Sequence, residues 1–241
     1  MKIICFGDSI TRGVTLQGTR LRIVKGTFPK LLQQHFENIE IINKGVFNDN
    51  SFSLLERFNK HIVSENPNIV FIEIGGNDCV FDWQAVANSP LDEHTATVPL
   101  NTFIENVTQI CRNIQNIHVQ PVLLALPPLD AARYYTYLTT LFGNDISHWI
   151  CRTGGISEWH GRYNEALIKI SDTLHVPMID TRTPFFAHPI DNVISNDGIH
   201  PTAEGYALMA ETITKAVPAL IEAYAMKHKK KPRLAWLLLF H

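Results

Sequence analysis

Short runs of apolar residues alternate along the chain with longer segments in which apolar residues recur every three or four positions. The short runs are typical of strands covered on both faces, and the longer segments are typical of helices that pack on a sheet. The predicted strands are 2–6, 40–43, 69–74, 121–126 and 176–179, and the predicted helices are 28–36, 52–63, 99–116, 158–174 and 203–224. Because strands that alternate with helices form parallel βα units, the pattern predicts an α/β fold, a three-layer α/β/α sandwich with a central, mainly parallel five-stranded sheet.

Composition and charge indicate a folded domain and argue against a nucleic-acid-binding or membrane-spanning protein. The chain has 241 residues, of which 45% are apolar and 18% are charged, so it can bury a sizeable core. Its formal net charge of −2 gives no reason to expect a nucleic-acid partner. The longest uninterrupted apolar run, 234–240, is too short for a transmembrane segment, which needs about 20 residues.

The N-terminus and the cysteines predict a cytoplasmic protein. Only the short apolar run 3–6 precedes Gly7, so the chain shows no signal-peptide core. We expect free thiols because the cysteines are far apart and lack zinc-ligand spacing; they are Cys5, Cys79, Cys111 and Cys151. Neither a metal nor a cofactor is expected.

Three predicted strands end in residues that can carry chemistry. Ser9 follows the first strand, Gly45 ends the second in the segment 43–45, and Asn77 follows the third in the segment 75–78. The carboxyl ends of parallel strands meet at one edge of the sheet, where sites form. A serine in a tight turn there suits a nucleophile, and a glycine N–H with an asparagine amide suits an oxyanion hole. The same residue types are common in helix caps and ordinary turns, so each motif taken separately leaves both interpretations open.

Asp197 and His200 form a second candidate group, just ahead of the last predicted helix. A catalytic histidine needs a carboxylate on one ring nitrogen, which fixes the tautomer and stabilises the imidazolium. Asp197 can supply that carboxylate from three residues away. The chain has 11 histidines, but this pairing makes His200 the candidate base.

Taken together, these segments resemble the sequence blocks of the SGNH (GDSL-type) hydrolase superfamily, as GDSIT at 7–11, NKG at 43–45, GGND at 75–78 and DGIHP at 197–201. The resemblance implies the flavodoxin-like SGNH hydrolase fold and a serine esterase or acylhydrolase that cleaves carboxylic esters through an acyl-enzyme. It implies Ser9 as the nucleophile, His200 as the base and Asp197 as the residue that orients it. It also implies an oxyanion hole made by the N–H groups of Ser9 and Gly45 and by the Asn77 side chain.

The sequence departs from the family pattern at Asn48, where many members have glycine or another small residue, and this departure concerns the rim of the pocket.

The segment 128–162 is rich in aromatic residues and follows the fourth strand. It would form a lid or aromatic wall over Ser9, or a small helical hairpin that buries its aromatics against the domain. The residues predicted to line the substrate pocket are Asp8, Asn48, Asp78, Trp159 and Ile199.

Two basic segments leave alternatives open. Between Arg12 and Lys30 the chain has five basic residues and no acidic one, which favours either anionic substrates or a simple solvated loop.

The hydrolase domain is predicted to span 1–226, followed by a tail, 227–241, that is first basic and then apolar. The tail would make peripheral contact with an anionic membrane or a partner, or would dock on its own domain or a second subunit.

The leading hypothesis is a serine esterase that acts on a small-molecule ester. A carbohydrate O-acetylesterase and a lysophospholipase or thioesterase of the same superfamily also fit, because the pocket-forming segment has no general motif. A non-catalytic ligand-binding domain on the same fold is the alternative from another class. The presence of Ser9, Asp197 and His200 together argues against it.

Overall fold

The structure, a computed structural model, describes residues 1–229. The predicted tail, 227–241, lies almost entirely outside the described residues. No helix in the described part of the chain is long and apolar enough to cross a membrane. The four cysteines all lie in that part and form no disulfide, as predicted.

A parallel sheet forms the centre of the molecule. The strands are β1 (Lys2–Gly7), β2 (Val14–Gln17), β3 (Arg20–Ile23), β4 (Glu40–Gly45), β5 (Ile69–Glu73), β6 (Gln120–Leu124) and β7 (Met178–Ile179). Five of them pair in the order β4-β1-β5-β6-β7, all parallel. Each of the five matches a predicted strand, although β7 is shorter than predicted.

The remaining two strands, β2 and β3, form a separate antiparallel hairpin in the basic segment where the sequence predicted a loop. Its turn contains Gly18, with φ of +60°, and Arg20–Ile23 alternates basic and apolar residues. This hairpin signal is present in the sequence, but each strand has only four residues. Such a short alternation is weak evidence for a strand.

Helices cover both faces of the sheet. They are α1 (Ser9–Arg12), α2 (Phe28–His35), α3 (Ser51–Glu56), α4 (Trp83–Asn88), α5 (Leu100–Asn116), α6 (Ala131–Phe142), α7 (Ile146–Arg152), α8 (Ile156–Leu174), α9 (Ile190–Val193) and α10 (Ala203–Lys229). The helix predicted over 52–63 is instead α3 followed by a π-helical turn, Asn59–Val63. In that wider turn the Ser64 N–H donates to the carbonyl of Asn59, five residues earlier, at 3.1 Å.

Alternate residues of β1 face two separate cores. Ile4 and Phe6 pack with residues of α5 and α8, whereas Ile3 and Cys5 pack with residues of α2 and α10. Successive side chains of a strand point to opposite faces, and here both faces are covered. This explains why the first strand reads as a continuous apolar run, and it confirms the predicted three layers.

The connections from β1 and β5 diverge. After β1 the chain passes to α2 on one face of the sheet, and after β5 it passes to α5 on the other face. Where neighbouring strands of such a sheet send their connections to opposite faces, a crevice opens at the carboxyl edge. Ser9 follows β1 and Asn77 follows β5, so both lie beside this crevice.

Candidate active site

Ser9 is the first residue of α1 and follows β1 through a tight turn. A Cβ atom at Gly7 would lie 2.1 Å from the carbonyl oxygen of Glu73, so only glycine fits at that position. Asp8 caps the helix, because its side chain accepts a hydrogen bond of 2.8 Å from the Ile10 N–H. These contacts hold Ser9 at the carboxyl edge of the sheet.

Ser9, His200 and Asp197 are in hydrogen-bond contact. Ser9 Oγ lies 3.0 Å from His200 Nε2, and His200 Nδ1 lies 2.7 Å from Asp197 Oδ2. All three residues are buried, but Ser9 and His200 line the same cavity, so a ligand can reach the hydroxyl. A hydroxyl bonded to an imidazole that is bonded to a carboxylate is the arrangement of an activated nucleophile.

Hydrogen bonds on both carboxylate oxygens keep Asp197 ionised. Oδ1 accepts bonds from the N–H groups of Ile199 and His200, each at 3.0 Å, and from the Ser195 hydroxyl at 2.9 Å. Burial by itself would raise the pKa of Asp197, but the bonds from His200 and from the two N–H groups outweigh burial and hold the pKa below its ordinary value. Asp197 can therefore stabilise a positive charge on the imidazole.

Gly45 is not at the cavity, contrary to the role predicted for its N–H. That N–H donates to Asn43 Oδ1 at 2.8 Å, and Gly45 is absent from the cavity wall around Ser9. A Cβ atom at Gly45 would lie 2.2 Å from the backbone nitrogen of Arg12. The close approach of β4 to α1 therefore accounts for the glycine.

Asn48 lines the cavity in place of Gly45. Its φ of +63° lies in the left-handed region, which glycine and asparagine adopt most readily. Within residues 1–229, neither the Asn48 N–H nor the Ser9 N–H has a hydrogen-bond acceptor. Both N–H groups are therefore available to a ligand. The sequence did not indicate that the N–H groups of Ser9 and Asn48 are both free at the cavity, because this depends on the backbone torsion of Asn48 rather than on a residue type.

Asn77 lines the cavity, as predicted. Its Nδ2 donates to the carbonyl of Asp49 at 2.7 Å, which fixes the amide against the loop that carries Asn48. An amide nitrogen has two N–H groups, so one remains for a ligand. Among the described residues no three His, Cys, Asp or Glu side chains are close enough to hold a metal ion.

A family comparison identifies the chain. The model of the GDSL-like lipase/acylhydrolase family matches residues 5–208, which is most of the sequence. The chain belongs to this family. It is accordingly a hydrolase of ester bonds, as the sequence blocks predicted.

Individual relatives of this GDSL-like hydrolase are distant. The isoamyl acetate-hydrolyzing esterase of Saccharomyces cerevisiae is 22% identical over 98% of this chain and 93% of its own length. A protein of Bacillus subtilis named "Uncharacterized lipoprotein YqeF" is 23% identical over 88% of this chain and 87% of its own. With one relative named a lipoprotein, the cytoplasmic location stays a prediction.

Solved structures show the same fold. A lipase/acylhydrolase from Enterococcus faecalis has a TM-score of 0.67 and 23% identity, covering 91% of this chain and 96% of that one. The acetyl xylan esterase AlAXEase has a TM-score of 0.62 and 22% identity, covering 90% and 100%. The fold predicted from the resemblance is therefore confirmed.

The cavity of this GDSL-like hydrolase is lined mainly by apolar side chains and has a volume of about 350 Å³. Of the predicted lining residues, Asp8, Asn48, Trp159 and Ile199 do line it. The segment 128–162 is helical and also forms part of the wall, so features of both predicted alternatives are present. The wall residues that the sequence did not single out include Phe81, Trp83, Leu126, Leu129, Leu138 and Ile150.

Asp78 does not line the cavity, which corrects its predicted place. It is fully buried, and its Oδ1 accepts a hydrogen bond of 2.9 Å from the Ser51 N–H, while Oδ2 is buried without a partner among the described residues. Burial raises the pKa of Asp78 to about 6, and the bond from Ser51 only partly offsets this. Asp78 therefore ties the loop that carries Asn77 to the start of α3 and does not face the cavity.

Two carboxyl groups meet behind Ser9. Asp8 and Glu73 are both buried, and Glu73 Oε2 accepts a bond of 3.2 Å from the Thr11 hydroxyl. Burial raises the pKa of both groups, to about 7 for Glu73, and the pair therefore retains a proton near neutral pH. A protonated pair adds less negative charge beside the nucleophile than two carboxylates would.

Arg57 joins the ends of two strands to the loop that carries Asn48. Its guanidinium donates to the carbonyls of Gly7, at 2.8 Å, and Lys44, at 2.9 Å. Its Nε donates to Asp49 Oδ2 at 2.5 Å. The sequence did not indicate a role for Arg57, because its partners are backbone atoms and a loop carboxylate that come together only in the fold.

Proposed function

We propose that this protein is a serine esterase whose acyl-enzyme forms on Ser9, with His200 as the base and Asp197 orienting it. The observation that carries the proposal is the continuous hydrogen-bonded series from Ser9 Oγ through both His200 nitrogens to Asp197 Oδ2. Family membership supports ester hydrolysis. The residue roles are our own assignment.

In the acylation step Ser9 Oγ attacks the ester carbonyl carbon while His200 Nε2 takes the hydroxyl proton. Asp197 holds the ring through Nδ1 and stabilises the imidazolium that forms. The carbon–oxygen bond to the alcohol then breaks, and His200 passes its proton to the departing oxygen. The products of this step are a free alcohol and an ester of Ser9.

The negative oxygen that develops during attack needs donors already in position. The Ser9 N–H, the Asn48 N–H and the free N–H of the Asn77 amide are the donors we assign, with Asn48 replacing the predicted Gly45. Each such donor is worth about 10²–10³ in rate. The left-handed backbone conformation of Asn48 and the hydrogen bond from Asn77 to Asp49 support the view that these donors are in place before a substrate binds.

Deacylation repeats the chemistry with water. His200 takes a proton from the water as its oxygen attacks the acyl carbon, and the bond to Ser9 Oγ breaks with return of the proton to Ser9. The net reaction is cleavage of one ester into a carboxylic acid and an alcohol. Each proton transfer in this scheme uses a side chain already in contact with its neighbour.

The cavity favours esters with an apolar chain. Its lining is mainly leucine, isoleucine and aromatic side chains, so it removes an alkyl chain from water. A sugar ring in the same space would leave several hydroxyl groups without partners, which is costly. We therefore place apolar acyl esters ahead of acetylated carbohydrates as substrates.

The test is hydrolysis of p-nitrophenyl acetate, butyrate and octanoate by the wild type and by Ser9→Ala. We expect Ser9→Ala to lose at least about 10³-fold in kcat. Ser64→Ala is the matched control, because it removes an exposed hydroxyl far from the cavity. A fluorophosphonate probe should add its mass to the wild type and to Ser64→Ala, but not to Ser9→Ala.

Equal hydrolysis rates for the wild type and Ser9→Ala would refute the proposal. Labelling of Ser9→Ala by the probe would point to another nucleophile. Absence of any ester hydrolysis or labelling in the folded wild type would instead favour the non-catalytic ligand-binding domain.

A further inference from the structure

His160 is a polar residue in the wall of a mainly apolar cavity. It lies on α8, is 3% exposed, and lines the same cavity as Ser9 and His200. The proposed mechanism does not use it. A buried imidazole in such a wall needs a hydrogen-bond partner on each nitrogen or a ligand that supplies one.

One nitrogen of the His160 ring has a partner. The guanidinium of Arg182 lies 3.4 Å from Nδ1 and also donates to the carbonyl of Leu126 at 3.0 Å. Arginine has donors only, so Nδ1 is the acceptor and the ring proton is on Nε2. Burial, with the charge of Arg182, lowers the pKa of His160 to about 3, so the ring stays neutral.

The other nitrogen is open to the cavity. Nε2 has no hydrogen-bond partner within residues 1–229. Among the described residues, three side-chain polar atoms are sealed from solvent and have no partner: Glu73 Oε1, Asp78 Oδ2 and Trp149 Nε1. His160 Nε2 is not one of these sealed atoms. Because the ring lines the cavity, its Nε2–H is a donor that a ligand there can reach.

We infer that His160 recognises an oxygen atom on the chain of the substrate, and that the preferred esters carry a keto, ether or hydroxyl oxygen along an otherwise apolar acyl chain. This inference rests on the proposed esterase function. A plain alkyl chain would displace water from the Nε2–H and leave it unpaired. An oxygen at the same depth would accept its hydrogen bond.

The position of His160 also sets where that oxygen lies. Ser9 follows β1, whereas Arg182 anchors His160 beside the residues that follow β6. One strand, β5, separates β1 from β6, so the strand ends beside which the two groups lie are roughly 10 Å apart. The recognised oxygen is therefore several carbons from the ester carbonyl rather than next to it.

The experiment compares p-nitrophenyl octanoate with its mono-oxo isomers, in which one chain methylene is replaced by a ketone at successive positions. For the wild type we expect one isomer in the outer half of the chain to exceed octanoate in kcat/KM by about fivefold, the value of one hydrogen bond. In His160→Phe, which keeps an aromatic ring but has no donor, that ratio should fall to about one.

Two further variants make the result specific. His160→Gln retains an N–H donor and should keep part of the preference, which covers the case in which His160→Phe does not fold. Tyr135→Phe removes a hydroxyl that contacts Ser147 Oγ outside the cavity wall and should leave the ratio as in the wild type. Thermal unfolding of each variant establishes that it is folded.

The inference is overturned if the wild type prefers no oxo isomer over octanoate, or if folded His160→Phe keeps the preference. Either result leaves the proposed esterase intact, provided that octanoate hydrolysis depends on Ser9. If the wild type hydrolyses none of these esters, the proposed function fails and this inference fails with it.

Discussion

At the scale of single residues, the backbone of Asn48 links a torsion angle to a proposed oxyanion donor. Its φ of +63° is unusual for any residue except glycine and is tolerated by asparagine. The proposed contribution of Asn48 is its main-chain N–H, so the side chain matters only through the backbone conformation that it permits.

We therefore predict that Asn48→Val lowers kcat for p-nitrophenyl butyrate by about 10²-fold, because a β-branched residue disfavours this conformation and displaces the donor. The loss should be much smaller for Asn48→Gly, which adopts positive φ freely. Asn66→Val is the matched control, since Asn66 has φ of +49° in the turn before β5, at the opposite edge of the sheet. It should lower the melting temperature without a comparable loss of kcat. Equal activity of the two Asn48 variants would contradict the assignment.

At the scale of secondary-structure elements, α8 contributes to the cavity wall through Trp159. The indole Nε1 donates to the carbonyl of Cys79 at 2.7 Å, and the ring packs on Phe81 with 5.0 Å between centroids. These contacts fix the indole where it limits the space for a chain. The element, rather than a flexible loop, therefore sets the shape of this side of the cavity.

We predict that Trp159→Ala shifts the preferred acyl length upward, with a gain of up to about fourfold in kcat/KM for each methylene that the enlarged cavity buries. Trp159→Phe, which keeps a ring at this position, should stay close to the wild-type preference. The measurement is kcat/KM over p-nitrophenyl esters from acetate to laurate, with thermal unfolding as the check on folding. An unchanged length profile in a folded Trp159→Ala protein would show that Trp159 does not limit the chain.

At the scale of the whole molecule, buried carboxyl groups couple stability to pH. Burial raises the pKa of Glu73 to about 7 and that of Asp78 to about 6. Between an ordinary carboxyl pKa and these raised values, the unfolded chain has released its protons while the folded protein retains them. The free energy of unfolding therefore falls as pH rises through this range.

We predict that Asp78→Asn reduces this pH dependence. In the wild type, the contribution of Asp78 is fully present below about pH 4 and is lost as pH rises through about 6, a change of about 3 kcal/mol. Urea unfolding of the wild type and the variant from pH 4 to 8 should show a flatter profile for Asp78→Asn. Asp92→Asn, at an exposed carboxylate, is the control and should follow the wild type. Parallel profiles for the wild type and Asp78→Asn would contradict the raised pKa.

Much of the architecture follows from local patterns in the sequence. The β1 run is apolar at every position from Ile3 to Phe6 because helices cover both faces of the sheet, so the run by itself indicates a doubly covered strand. The order of the strand-end motifs likewise indicates that Ser9 and Asn77 lie at one edge. Asp197 and His200 are close in sequence, so their contact is a local property as well.

Other features depend on contacts between distant segments, and the sequence alone does not determine them. Whether Gly45 or Asn48 presents its N–H to the cavity depends on such contacts, because the Asn43 side chain accepts the Gly45 N–H while the Asn48 N–H stays free at the cavity. The open Nε2 of His160 depends on Arg182, which follows a different strand. The spacing of apolar residues along the chain indicates which face of a helix or strand is buried. Hydrogen-bond partners depend instead on which segments lie close together in the fold. The strands of the central sheet and the candidate nucleophile were therefore predictable from sequence, and the donors and the shape of the cavity were decided by the tertiary structure.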